Sequence, residues 1–315
     1  MVHFLRMMRF DWAAIVVIAG WPLAANDTLA TLGAGGLVPL KAAQIAMERE
    51  DLEISVHRIT VRYVFRNNSD KDVEATVAFP LPELEGGLVE HVPLELPEKS
   101  KADFVDFEVT VAGKPVAAKM EVRAFHLGVD ITDRLRFAGL PVSVIDEGFA
   151  AAVGKLSTQQ HSQLEKDELL VSDDVGGEKR RYWANWNTRV QFYWTQRFPA
   201  RGTVEVQHKY RPVVGGVYRV PGDSVASRIK PYCGSGVITR HPVRERQIRY
   251  ILTTANNWSG PIRKFRLSVV ADSPDDIVLT CMPGLKRIGP SRYEMARSDF
   301  RPDRKLDLEI LQPAR

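Results

Sequence analysis

The sequence predicts a mostly-β protein: two antiparallel β-sandwich domains, the first carrying an α-helical insertion. Three observations predict it. Segments with a hydrophobic period of two recur along most of the chain, separated by clusters of Gly, Pro, Asn and Asp. Residues 125–185 break that period and read with a helical one. Beyond Val213-Val-Gly-Gly216, short strand-like segments return at steady spacing.

The N-terminus comes first. Arg6 and Arg9 precede the apolar run Ala13-Ala-Ile-Val-Val-Ile-Ala-Gly20, and Trp21-Pro-Leu-Ala-Ala25 adds a helix break and small residues. That is the layout of a secretory signal over residues 1–25, cleaved near Ala25. The run is shorter than the roughly 20 residues a spanning helix needs. No other segment is long and apolar enough to cross a membrane, so the expected location is the periplasm or the exterior. Residues 26–48 read as a lead-in, with Gly33-Ala-Gly-Gly36 a flexible turn and Lys41–Arg49 one or two helical turns.

The first sandwich is expected over 49–214. Leu52, Ile54 and Val56 alternate with polar residues, and after a shift at His57-Arg58 so do Ile59, Val61, Tyr63 and Phe65. This reads as one half-buried strand, bulged or split in its middle. Asn67–Asp72 is a turn, and Val73–Leu81 is the returning strand of a hairpin. Its end, Phe79-Pro-Leu-Pro82, stops the ladder, because proline has no N–H to donate. Phe104–Val111 and Val116–Val122 make a further pair. Ile131–Phe137, Phe149–Leu156 and Ser157–Leu170 read as helices, with Asp130 or Thr132 capping the first. Thr188–Phe198 and Thr203–Tyr210 read as a second hairpin. The second sandwich is expected over 215–315.

Composition excludes several functions. Hydrophobic residues are 44% and charged residues 26%, as in a globular protein, and the net charge is +4. Loss of residues 1–25 removes Arg6, Arg9 and Asp11 and leaves +3. So small and dispersed a charge argues against nucleic acid. The seven histidines show no metal-ligand spacing, and no Gly-x-Ser-x-Gly occurs, so neither metal nor cofactor is expected. His208 shares a strand face with Val204 and Val206, which predicts a packed side chain. Two cysteines, Cys233 and Cys281, enclose 47 residues. In an exported chain an even pair predicts one disulfide.

Aromatics give the better lead. Tyr182, Trp183, Trp186, Phe192, Tyr193 and Trp194 fall close together. At strand spacing Phe192 and Trp194 share one face and Tyr193 takes the other. One set fills the core. Trp183, Trp186 and Tyr193 are the candidate binding surface, suited to a protein or to a small apolar or carbohydrate ligand.

Several pieces resemble domain of unknown function 4424, a family of exported bacterial proteins. They include Leu32-Gly-Ala-Gly-Gly-Leu37, Val77-Ala-Phe-Pro-Leu-Pro82, Phe192-Tyr-Trp-Thr-Gln-Arg-Phe-Pro199 and Trp258-Ser-Gly-Pro-Ile262. The resemblance transfers no activity. Phe79-Pro-Leu-Pro82, the turn at Gly113 and Pro199–Tyr210 are more distantly similar to the vault/inter-alpha-trypsin domain. That likeness implies one sandwich over 50–213 and an interaction module. The leading expectation is an exported, non-enzymatic binding or protein-interaction protein. The alternative is a hydrolase whose site is assembled from distant segments.

Overall fold

The computed structural model describes residues 27–33, 36–89, 94–97, 102–173, 180–219 and 242–313. Strands dominate them, as the sequence predicts. The lead-in, however, is strand rather than helix. β1 (Thr28–Gly33) and β2 (Gly36–Leu40) form a hairpin, and β3 (Ile45–Ile54) begins inside the segment read as helical turns. A bulge between Met47 and Arg49 explains the misreading. It shifts the inward side chains from Ile45 and Met47 to Glu50, Leu52 and Ile54, so no single period runs through.

β3 turns directly into β4 (Ile59–Asn67). The Ser55 N–H donates to the Arg58 carbonyl at 2.9 Å, and Ser55 Oγ accepts from the Arg58 N–H at 3.0 Å. The stretch expected to be one bulged strand is therefore a tight hairpin. β5 (Val73–Pro80) does not pair back on β4; it crosses to another sheet and pairs with β1. After it come β6 (Leu84–Glu85), α1 (Gly86–Val89), β7 (Leu94–Glu95), β8 (Glu108–Val111), β9 (Lys114–Val116), β10 (Lys119–His126) and β11 (Val129–Asp130). The insertion follows with α2 (Thr132–Phe137), α3 (Phe149–Val153), α4 (Thr158–Lys166), β12 (Leu170–Asp173) and β13 (Arg181–Ala184). The three expected helices are present. α4 starts on a capping box in which Ser157 and Gln160 bond each other's backbone N–H. The Asp130 carboxylate takes the Thr132 N–H at 2.9 Å.

β14 (Asn187–Phe198) and β15 (Thr203–Tyr210) are not the expected hairpin either. β14 pairs with β5 and β15 with β4, in different sheets. Both connections turn the same corner and bond each other there. Asn67 N donates to Gly202 O and Arg201 N to Ser69 O, each at 3.0 Å. Asn67, buried, ties the corner by donating to Phe198 O and Lys71 O. The chain closes with β16 (Val214–Arg219), β17 (Val243–Tyr250), β18 (Ile262–Val270), β19 (Ile277–Thr280), β20 (Lys286–Arg287), β21 (Arg292–Phe300) and β22 (Leu306–Pro313).

Three large sheets result. A seven-stranded one runs β11-β10-β14-β5-β1-β2, with β6 beside β14. An eight-stranded one runs β20-β21-β18-β3-β4-β15-β8-β9, and a five-stranded one β19-β22-β17-β16-β7. The boundary expected at 214/215 does not separate sheets. β18 lies parallel beside β3, so one sheet joins both halves, and this pairing is not antiparallel as expected. β7 likewise pairs with β16. A single core holds Val61, Phe65 and Val206 together with Leu267, Leu308 and Ile310. At its centre the Tyr63 and Tyr250 hydroxyls share a buried hydrogen bond of 3.0 Å.

Candidate functional site

The insertion packs on a small core of its own. Ile131 caps α2 and Leu135 lies within it, Val153 comes from α3, Leu164 from α4, and Trp186 lies among them. Trp186 is 1% exposed. Its Nε1–H donates to the Val142 carbonyl at 3.0 Å, and its ring meets that of Phe149 edge-on at 5.9 Å. Gly86 permits the close approach of α1 to this core. A Cβ there would stand 2.4 Å from the Ala184 carbonyl and 2.5 Å from that of Trp186.

Outside this core the insertion walls a cleft of about 1080 Å³. Val144, Ile145, Phe149 and Val153 form its apolar wall, and Leu94 and Leu96 face them from the β7 segment. Polar groups interrupt this lining: Asp146, Glu147, His161, Arg180 and Arg181. His161 lies 4.9 Å from the Tyr182 ring, and its Nδ1 is buried with no partner among the described residues. Arg180 stands 3.8 Å from the Glu165 carboxylate. The volume lies just above the range usual for small-ligand sites, about 300–1,000 Å³.

The three aromatics expected to form one surface are dispersed. Trp186 belongs to the core, a correction that follows from the helices roofing it. Tyr182 faces the cleft, so Trp183, its neighbour on β13, points to the other side of the β12–β13 ribbon. The Arg181 guanidinium lies 5.8 Å above the Trp183 ring. Tyr193 packs against Ala30, Leu37 and Ala78, beneath the β1–β2 hairpin. Phe192 and Trp194 are buried, as their alternation predicts. The residues not picked out as a binding surface are Phe149, His161 and Tyr182. Only Tyr182 had a sequence signal, its place in the aromatic cluster.

Exposed apolar side chains also gather on the insertion. Phe137 is 96% exposed, Leu127 87% and Val129 64%, the highest values for large hydrophobic residues among those described. Two histidine–carboxylate pairs lie elsewhere. His208 Nε2 is 2.9 Å from Asp27 Oδ1, with both side chains 0% exposed and aromatic rings around the imidazole, so no substrate reaches it. His57 Nε2 is 3.1 Å from Asp272 Oδ1 on the surface, beside a polar hollow of about 510 Å³ that Arg211, Arg244 and Arg246 help to line. Cys281 follows β19, but Cys233 lies outside the described residues, and so does the expected signal segment.

Fold and cleft define a β-rich protein in which a helical insertion, set on a three-sheet scaffold, walls a large half-apolar cavity. The chain belongs to the family described as domain of unknown function (DUF4424), whose model matches residues 25–311. That match carries no likeness to the vault/inter-alpha-trypsin domain. No curated protein matches. Among solved structures, a candidate nutrient binding protein of Legionella pneumophila is similar at 16% identity and a TM-score of 0.46, covering 91% of this chain and 70% of its own. No helix among the described residues is long and apolar enough to cross a membrane.

Proposed function

We propose that this is an exported, non-enzymatic binding or interaction protein whose recognition surface is the insertion. One observation carries the reading: the insertion both walls the largest cleft described and bears the three most exposed large apolar side chains. Apolar side chains are left in water at a cost, and such concentrations mark places where something else docks. The partner is a protein or a small apolar or carbohydrate ligand that reaches Phe149 and Tyr182 through the cleft. The scaffold sheets hold the insertion still while leaving its outer face free to vary.

Phe137→Ala and Phe149→Ala test this. Phe137 stands in solvent, so its loss should leave the melting temperature unchanged. Capture of partners from a periplasmic extract should weaken in at least one variant by about tenfold, the effect of losing one anchor side chain. Full retention by both variants would place the surface elsewhere. The rival hydrolase reading draws on the His57–Asp272 pair, and ester turnover that disappears in His57→Ala would favour it.

Export belongs to the same proposal. The family match begins at residue 25 and Asp27 is buried, so a cut near Ala25 would keep the matched region and Asp27 in the mature chain. N-terminal sequencing of periplasmic protein should start within a few residues of Asn26, and an intact N-terminus held in the membrane would refute cleavage. The Cys233–Cys281 bridge is tested on the same sample: the unfolded, unreduced protein should titrate no thiol.

A further inference from the structure

The outer face of the eight-stranded sheet carries charge that neither the cleft nor the core explains. β18, β3, β4 and β15 run side by side there. Leu267, Leu52, Val61 and Val206 point from these strands into the core, so their alternate neighbours point outward. Register sets those neighbours in rows. Lys264 lies opposite Arg49, Arg266 opposite Asp51, and Asp51 opposite Arg62. Lys209 stands one strand further on, opposite Thr60. Together they line a polar hollow of about 730 Å³.

Seven basic and two acidic side chains line this hollow. The excess of five is larger than the net charge of the whole chain, +4, so charge that is dispersed along the sequence is gathered on one face. The face does not neutralise it. Arg49 bonds Asp51 at 3.0 Å, and Arg292 reaches Glu53 at 3.1 Å. Lys209, Lys264 and Arg266 meet no carboxylate at ion-pair distance among the described residues, and Arg266 acts on Glu294 only from further off. Like charges directly opposite, as at Lys264 and Arg49, destabilise a sheet. Proteins give up stability in this way at sites of function, and a bound anion offsets the repulsion.

The two carboxylates narrow the choice of anion. Asp51 and Glu53 lie among the cations, partly exposed, with lone pairs beyond those their arginines use. They repel a chain that is charge alone, such as a polyphosphate or a layer of phospholipid headgroups. They accept hydrogen bonds from hydroxyls. A sugar chain bearing carboxylates suits both features. From β18 to β15 the face spans three strand spacings, about 14 Å, which fits a short oligomer better than one sugar. We propose that this face binds an acidic oligosaccharide, whose carboxylates meet Arg49, Lys264 and Arg266 and whose hydroxyls donate to Asp51 and Glu53. The protein then has a second recognition surface, built on the scaffold rather than on the insertion.

Calorimetric titration with tri-galacturonate at low salt tests this. The trimer should bind saturably, and more weakly as salt is added. The uncharged galactose trimer should show no saturable heat. Tripolyphosphate and phosphatidylglycerol vesicles should bind at least about tenfold more weakly than tri-galacturonate. Lys264→Gln with Arg266→Gln should weaken tri-galacturonate by about tenfold, the effect of losing two charged contacts. Both side chains are exposed and their loss relieves repulsion, so the melting temperature should hold or rise. Lys209→Gln, on another strand, should weaken binding by about threefold. Phe137→Ala and Phe149→Ala should bind the trimer as the parent does, which separates this surface from the insertion. No saturable binding, or full affinity in the folded double variant, would overturn the proposal. Tripolyphosphate binding as tightly would leave general charge attraction only and overturn it too. Equally tight vesicle binding would reassign the face to a membrane surface. If the double variant unfolds, Lys209→Gln decides: unchanged affinity there would overturn the proposal.

Discussion

Trp186→Ala is expected to destabilise the protein by about 3–5 kcal/mol, the usual cost of truncating a fully buried large aromatic. The ring is 1% exposed and lies among Leu135, Val153 and Leu164, which cannot all collapse into the space it leaves. Its indole N–H is also lost from the Val142 carbonyl. Thr188 Oγ1 still donates to that carbonyl at 3.2 Å, so the polar part of the loss is partly covered and the cavity dominates. Unfolding should start in the insertion, because Trp186 ties the 142–149 segment to β14. Chemical denaturation should show the midpoint falling, and limited proteolysis should cut first within 125–185. A loss below about 1 kcal/mol would mean that the insertion core is loose enough to refill. Phe137→Ala is the matched control: an aromatic lost from solvent, with stability within about 0.5 kcal/mol of the parent.

The contrast between these two residues shows how far the sequence reaches. Alternation marks Phe192 and Trp194 as buried because a strand has a fixed period of two, and a helical period marks α2, α3 and α4. Trp186 sits between those regimes, one residue before β14, where no period applies. Its burial depends on which helix lies above it. Pairing partners were equally hidden. β4 and β5 look like a hairpin, since six residues of turn sequence join two strands, yet the same turn can cross between sheets. The corner is set by Asn67, which bonds Phe198 more than a hundred residues away. The parallel contact of β3 with β18 is longer in range still and has no local signature. The three helices of the insertion were legible. The cleft was not, because Leu94, Phe149, His161 and Tyr182 come together only in three dimensions.

Asp27→Ala is expected to cost about 3–5 kcal/mol, because it leaves one partner of a buried pair uncompensated. Asp27 and His208 are both 0% exposed and joined at 2.9 Å. Rings of Tyr63, Phe79, Phe107 and Trp194 lie 5.0–5.5 Å from the imidazole, so no water replaces the missing oxygen. Removing both polar groups should cost less than removing one: Asp27→Leu with His208→Phe should recover most of the loss, as apolar replacements of buried pairs often do. The carboxyl also sets a pH dependence. Burial raises its pKa above the ordinary value, against the opposing pull of His208. A raised folded-state value contributes stability that is full below the unfolded pKa of about 4 and is lost as pH rises through the folded one. Asn cannot titrate, so the cost of Asp27→Asn should be largest in acid and shrink toward neutrality. Urea unfolding of both proteins across that range measures it. A cost that grows with pH would reverse the assignment and make the ionised carboxylate, held by an imidazolium, the form on which the fold depends.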